Sequence, residues 1–280
     1  MKKLLIASTA LVMVAGAAHA EFKMTGDARF GLSYANDGSA NETTAEARVR
    51  AKFNFSGTTD SGMGFGAYFL LNGKTGLTDD FIVYVSDSWG KVTVGLVDAG
   101  SDSVGLGIAD IGYKGMDVDD VAESLYAEST NNVSYTGSFG AVSVALSAYI
   151  ANSSAASADE GDWSLGVGYE GDGFYVAMGY DVDDSASTEV LSLGGGVKMG
   201  AVSANMIYSF GDGTADAYGL DFNYKLNSAT TLTFAYADDG ADDAYGLGVA
   251  YSLGGGATLK AGIGNVQGTT EAEVGMTFTF

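Results

Sequence analysis

Residues 270–280, TEAEVGMTFTF, close the chain with two kinds of side chain in strict alternation. Even-numbered positions from 272 onward are apolar, whereas the odd-numbered ones carry carboxylates, hydroxyls or a glycine. Successive side chains of a β-strand point to opposite faces, so this stretch predicts a strand with one apolar and one polar face. The same alternation begins at residue 22, with Phe22, Met24, Ala28, Phe30 and Leu32 set against Lys23, Thr25, Asp27, Arg29 and Ser33. We therefore expect the two ends of the chain to be neighbours in one sheet.

Residues 1–20 have the composition of a secretory signal peptide. Lys2 and Lys3 precede an apolar run, and Ala18-His19-Ala20 follows it as a small-x-small cleavage site. The apolar run is shorter than the roughly 20 residues of a spanning helix. We expect a cleaved signal peptide at residues 1–20 and a single barrel domain at residues 21–280.

Composition excludes most familiar enzyme chemistry. Loss of the leader leaves 11 basic against 35 acidic residues, a formal charge of −24, and removes the one histidine. Because the chain also has no cysteine, Ser-His-Asp triads, Cys-His pairs and zinc sites with nitrogen or sulfur ligands cannot form. An enzyme using paired carboxylates is the remaining catalytic alternative, but no nucleophile and base can be nominated for it. The sequence therefore predicts a protein that is not an enzyme.

Alternating segments recur sixteen times, and their connections alternate between short turns and longer acidic loops, among them residues 35–43 and 181–188. Bacterial outer-membrane barrels have even strand numbers, short periplasmic turns and longer external loops. The complete absence of proline agrees with a closed sheet, which has no edge strand to hold one. We predict an all-β fold, a closed antiparallel transmembrane β-barrel of about 16 strands. Any helix should lie in the longest connection, residues 98–130.

A barrel of this size is too wide for side chains to fill, so it encloses an aqueous channel. The predicted function is passive diffusion of small hydrophilic solutes and ions, with mild cation preference from the acidic loops. A non-conducting structural barrel or adhesin is the alternative.

Charges along the channel predict a constriction. The chain's three arginines lie in the first two segments and share the polar parity with two lysines. The predicted basic, pore-lining residues are Lys23, Arg29, Arg48, Arg50 and Lys52. If the long connection folds into the lumen, its acids face them: Asp98, Asp102, Asp110, Asp117, Asp119, Asp120 and Glu123. The alternative is that the arginines only hold the wall together by pairing with Glu46, Asp27 and Glu273.

Three motifs in order resemble the general diffusion porins of the Rhodobacter type: WGKVTVG at 89–95, NNVSY at 131–135 and GMTFTF at 275–280. The resemblance runs through the whole mature chain. It implies a trimeric sixteen-stranded outer-membrane porin of a Gram-negative bacterium, with its third loop folded into the lumen and a terminal phenylalanine read by the barrel-assembly machinery. This chain has Gly95-Leu96-Val97-Asp98 where family members often place an arginine and an acid, so part of the basic wall is absent.

Partners follow from the outer surface and the acidic loops. Small outward residues in the first two segments allow close approach of another subunit, although they could equally face lipid. These residues are Gly26, Ala28, Ala45, Ala47 and Ala51. The Asp-rich runs at 117–120, 181–184, 238–239 and 242–243 either are plain solvated loops, bind calcium weakly, or bridge to lipopolysaccharide through divalent ions. We expect no required cofactor, and the negative charge argues against nucleic acid.

Overall fold

A computed structural model gives the fold of the chain. It describes residues 21–73, 76–125, 131–150, 161–184, 186–211 and 215–280. The predicted signal peptide at residues 1–20 lies outside the described residues and stays a prediction.

Sixteen antiparallel strands form one closed barrel in which each strand pairs with its sequence neighbours and β1 pairs with β16. This confirms the predicted strand number and closure. The strands are β1 (Glu21–Asn36), β2 (Asn41–Thr58), β3 (Gly64–Asn72), β4 (Gly76–Asp87), β5 (Gly90–Val97), β6 (Asn131–Phe139), β7 (Val142–Ala148), β8 (Trp163–Glu170), β9 (Phe174–Asp183), β10 (Thr188–Met199), β11 (Val202–Gly211), β12 (Ala217–Lys225), β13 (Thr230–Asp238), β14 (Asp243–Gly254), β15 (Ala257–Val266) and β16 (Thr269–Thr279).

The two chain ends meet as the alternation predicts. Ala28 is opposite Phe278 and Leu32 is opposite Val274 in the β1–β16 register. Beyond β16, the amide N of Gly26 donates to the carbonyl O of Phe280 at 2.7 Å, and the amide N of Phe280 donates back to Gly26 O at 3.0 Å. The last residue is therefore part of the ladder that closes the barrel.

Burial is inverted relative to a water-soluble barrel. Large apolar side chains such as Phe30, Leu247 and Ile263 are at least half exposed, whereas inward positions hold fully buried small residues such as Ala217 and Ala235. An exposed apolar band on the outside of a closed barrel fits a surrounding bilayer. Its aromatic rings stack between strands in places, one cluster comprising Phe22, Phe53, Phe55 and Phe69.

Several connections are shorter than predicted. β1 extends to Asn36 and β2 begins at Asn41, so the first external connection is four residues rather than residues 35–43. The polar pairs Tyr34–Thr43 and Ala35–Glu42 continue the ladder although their composition resembles a loop. Backbone groups pair wherever a partner strand is in register, whether or not the side chains are apolar.

Helical structure in the described residues is confined to the long connection, as expected. It consists of a 3-10 turn, Asp102–Val104, and a short helix α1, Val118–Ala122. No described helix has the length and apolar content needed to cross a membrane.

Candidate pore constriction

The connection between β5 and β6, described from residue 98 to residue 125 and called here the inner segment, has two distinct sides. Its apolar side chains are buried in one cluster that includes Leu106, Ile111, Met116, Val118 and Val121. Its carboxylate-bearing residues differ in exposure. Asp98, Asp102, Asp110, Asp117 and Asp120 are exposed, and Asp119 and Glu123 are half-buried.

Glycines make room for the apolar side of the inner segment. A Cβ atom built on Gly194 of β10 would lie 2.6 Å from Leu106 Cδ2, and one on Gly262 of β15 would lie 2.7 Å from Ile111 Cγ2. Real Cβ atoms do not approach other heavy atoms this closely, so a side chain at either position would displace the segment. The inward face of these strands is therefore shaped to receive the segment.

Three buried wall carboxylates hold the inner segment in place. Asp181 of β9 accepts a hydrogen bond from Ser101 Oγ at 2.8 Å, and Asp221 of β12 accepts one from the amide of Ala109 at 2.9 Å. Glu273 of β16 accepts from the amides of Tyr113 and Lys114 at 3.1 and 3.3 Å. All three wall residues are no more than 4% exposed. Buried carboxylates need such partners, so these contacts stabilise the docked segment.

These anchors bear on two statements made from the sequence. Asp181, at the start of the predicted acidic loop 181–188, lies inside β9 on the inward parity, and nearby Ser164 also accepts from the amide of Ser101. Glu273 is named as an arginine partner only in the wall-pairing alternative. Its carboxylate lies instead 3.6 Å from the ammonium of Lys114 in the inner segment.

The five predicted basic residues, called here the basic strip, lie on the polar parity of β1 and β2. Arg29 pairs with Glu46 at 2.8 Å, and Arg48 and Arg50 both pair with Asp27, at 3.3 and 2.9 Å. Two of the three carboxylates named in the wall-pairing alternative thus do contact arginines. Arg29 Nη1 also donates to the carbonyl of Lys114 at 2.9 Å, which links the strip to the inner segment.

The remaining strip residues have different surroundings. Lys52 Nζ lies 3.6 Å from the centroid of the Tyr68 ring, a cation–π contact. Lys23 is exposed near the start of β1.

The segment's carboxylates are not all free charges. Asp110 accepts from the amide of Met116 at 3.2 Å and is hydrogen-bonded to Asp119, whereas Glu123 accepts from the amide of Ile108 at 3.1 Å. Burial, followed by repulsion from Asp110, raises the pKa of Asp119 to about 8. Burial also raises the pKa of Glu123 to about 7. At neutral pH Asp119 is therefore mainly protonated, and the hydrogen bonds of Asp110 and Glu123 join parts of the segment to one another.

The acidic side chains of the described residues form no metal centre. Within that part of the chain, no group of three or more aspartates and glutamates is arranged to hold an ion.

The described contacts of the inner segment run from β7, where Ser147 Oγ accepts from the amide of Gly100, round to Arg29 of β1. Between these points the segment meets Asp181, Asp221 and Glu273 in turn. The basic strip lies at the far end of this arc. One part of the wall thus carries cations, and another contacts the inner segment, several of whose carboxylates are exposed.

Comparison with known proteins gives a consistent result. A family model described as Gram-negative porin matches residues 7–271. The porin of Rhodobacter capsulatus is 31% identical over 209 residues, which are 69% of this chain and 68% of that protein. Two engineered variants of the Rh. blastica porin share the fold at 24% identity, with TM-scores of 0.81 and 0.78 over 92% of this chain and 100% of theirs.

Proposed function

This chain belongs to the Gram-negative porin family, and from that premise we propose that opposed charges on its inner wall form the selective constriction of the channel. As a family member it is an outer-membrane protein and a general diffusion channel for small hydrophilic solutes. In the proposal, solutes pass between the basic strip and the carboxylates of the inner segment.

The observation that carries this proposal is the two-sided character of the inner segment. Its apolar side chains fill a wall of glycines, so the exposed Asp102, Asp110, Asp117 and Asp120 are left for the lumen. Fixed charges of opposite sign on facing walls select solutes by size and charge at the narrowest point. Anions are favoured near the arginines and cations near the carboxylates, and no cofactor is needed.

Conductance in planar bilayers tests this function directly. Purified, refolded protein should give stepwise increases in current, and the reversal potential across a salt gradient should show mild cation preference. The preference follows from the formal charge of −24 that remains after loss of the leader, since acidic loops concentrate cations at the mouth. Clear anion preference contradicts the charge argument, and a folded barrel without current steps would instead be a structural barrel or adhesin.

We also propose that the protein is a homotrimer joined through the outer face of β1 and β2. Ala45 and Ala47 are exposed there, and small side chains let another subunit approach closely. Replacing Ala47 and Ala51 with Trp should shift trimer to monomer on native gels, whereas Ala204→Trp on β11 should not. Trimers that persist after the Ala47 and Ala51 substitutions would exclude this face as the subunit interface.

Further proposed partners follow from the chain end and the external loops. Phe280 is exposed at the barrel's closing edge, which suits recognition by the barrel-assembly machinery. Weak calcium binding and lipopolysaccharide contacts at the acidic loops stay predictions.

A further inference from the structure

A cavity of about 620 Å³ lies against the basic strip. Its polar lining comes from β1, β2, β3 and the end of β16, and comprises Thr25, Asp27, Arg50, Lys52, Tyr68 and Thr279. Arg50 and Lys52 are two positions apart on β2, so both point to the inward face of the barrel.

The cations of this cavity have unused hydrogen-bonding capacity. Arg50 contacts Asp27 through Nε alone, at 3.1 Å to Oδ1 and 2.9 Å to Oδ2. Within the part of the chain that the structure describes, its two terminal nitrogens have no acceptor and remain for a ligand. Lys52 Nζ lies over the Tyr68 ring, and no carboxylate of the described residues is within ion-pair distance of it.

Charge around the cavity is also unbalanced. Arg48 and Arg50 share the single carboxylate of Asp27, and Lys52 adds a third cation. Among the described side chains around the cavity, cations therefore outnumber carboxylates, which favours a bound anion.

The donor set defines the chemistry of that anion. A guanidinium edge presents two parallel N–H donors that match the two oxygens of a carboxylate or phosphate, and an ammonium adds a point charge. The hydroxyl of Thr25 is a further donor for a ligand with several acceptor oxygens. A spherical halide can accept from the same donors, but it cannot offer a separate oxygen to each of them.

We propose that the Arg50–Lys52 cavity is a subsite for small oxyanions, meaning solutes that carry a carboxylate or phosphate group. The proposal rests on the proposed channel function, because solutes reach the cavity through the open lumen. Such a subsite would bind anionic solutes inside a channel whose net negative charge otherwise disfavours their entry.

Inorganic phosphate is the probe, added during single-channel recording in potassium chloride at constant ionic strength. We expect phosphate to reduce the current with a saturable dose dependence. Lys52→Met should weaken this inhibition roughly tenfold, the effect of losing one charge-assisted hydrogen bond. Lys52→Arg should retain it, because the positive charge remains.

Lys91→Met is the matched control, because Lys91 also lies over a tyrosine, Tyr84, at 5.7 Å from the ring centroid, but outside the cavity. Its inhibition by phosphate should match that of the unmodified protein. Current that merely follows solution conductivity overturns the subsite while leaving the channel function intact. Equally weakened phosphate inhibition in the Lys52 and Lys91 variants also overturns the subsite. The inhibition would then depend on the overall electrostatic field of the channel and not on this cavity. Absence of any channel current overturns both proposals.

Discussion

The inner wall of this barrel is built in two different ways. On β1 and β2 the inward positions carry long charged side chains, including Arg29, Arg48 and Arg50, which reach toward the lumen. On β10 and β15 the inward positions under the inner segment include Gly194 and Gly262, which leave no side-chain volume. The same two-residue alternation therefore serves two purposes. On β1 and β2 it supplies charge, and where the wall meets the segment it supplies space.

The two kinds of wall meet at the inner segment's contact with β16 and β1. Glu273 holds the amides of Tyr113 and Lys114, and the carbonyl of Lys114 accepts from Arg29, which itself pairs with Glu46. One chain of contacts thus joins the docked segment to the basic strip. If the two parts of the wall have these separate roles, substitutions in the glycine wall should move the inner segment. Substitutions in the basic strip should instead change ion selectivity and leave the segment docked.

Gly262→Val should have the largest effect. The new Cβ would lie 2.7 Å from Ile111 Cγ2, 3.0 Å from Met116 Sδ and 3.1 Å from the amide N of Gly112. Overpacking of this kind costs about 1–3 kcal/mol, which shifts the ratio of docked to undocked states by roughly 5- to 150-fold. We expect larger and noisier single-channel conductance.

Ala261→Val is the control for that substitution, because it introduces the same valine side chain one residue earlier, on the outward parity of β15. It should leave conductance unchanged. Unaltered conductance in a folded Gly262→Val barrel would show that the glycine wall does not position the segment.

Glu273→Gln should have the next largest effect. The amide keeps an acceptor oxygen but loses the charge that faces Lys114, in a side chain with no exposed surface. Loss of charge assistance from these hydrogen bonds costs roughly 1 kcal/mol, or about fivefold in docking. Open-channel noise should therefore increase, less than for Gly262→Val.

Glu271→Gln removes the same charge one inward position away on β16. It should leave the noise near the level of the unmodified protein. Equal noise in both variants would mean that charge at this part of the wall, rather than the contact with the segment, controls docking.

Sequence reasoning succeeds where the information is local. Alternation places Arg48 and Arg50 inward because parity along one strand needs no knowledge of the rest of the barrel. It does not identify Asp181 and Asp221 as anchors, because their partners Ser101 and Ala109 are 80 and 112 residues away. The sequence does offer one indication of an anchor, because Asp221 is a lone carboxylate on the inward parity of β12. Its role as an anchor follows only from closure of the barrel, which determines the strand that each part of the inner segment contacts.

Replacing Arg48 and Arg50 with Ala should alter selectivity more than docking. The substitutions remove two cations and leave Asp27 without its arginine partners. We expect stronger cation preference in reversal potentials, or larger conductance, because the strip loses charge and volume together.

Lys198 and Lys260 are inward cations on β10 and β15 and supply the control. Their joint replacement with Ala removes the same charge from the other wall. A selectivity shift as large as that of the arginine variant would show that the strip has no special position in the channel.

A pH dependence is also expected, and it originates in the inner segment. Burial raises the pKa of Asp119 from 3.8 to about 8 in the docked state, so docking is favoured when the group holds its proton. This contribution is complete below pH 4 and is lost as the pH rises to about 8. Channel noise should therefore increase from pH 6 to pH 9, and Asp119→Asn, which cannot ionise, should reduce that increase. A pH dependence that persists fully in Asp119→Asn and disappears in the Arg48 and Arg50 variant would contradict this. It would mean that the titrating group belongs to the basic strip and not to the inner segment.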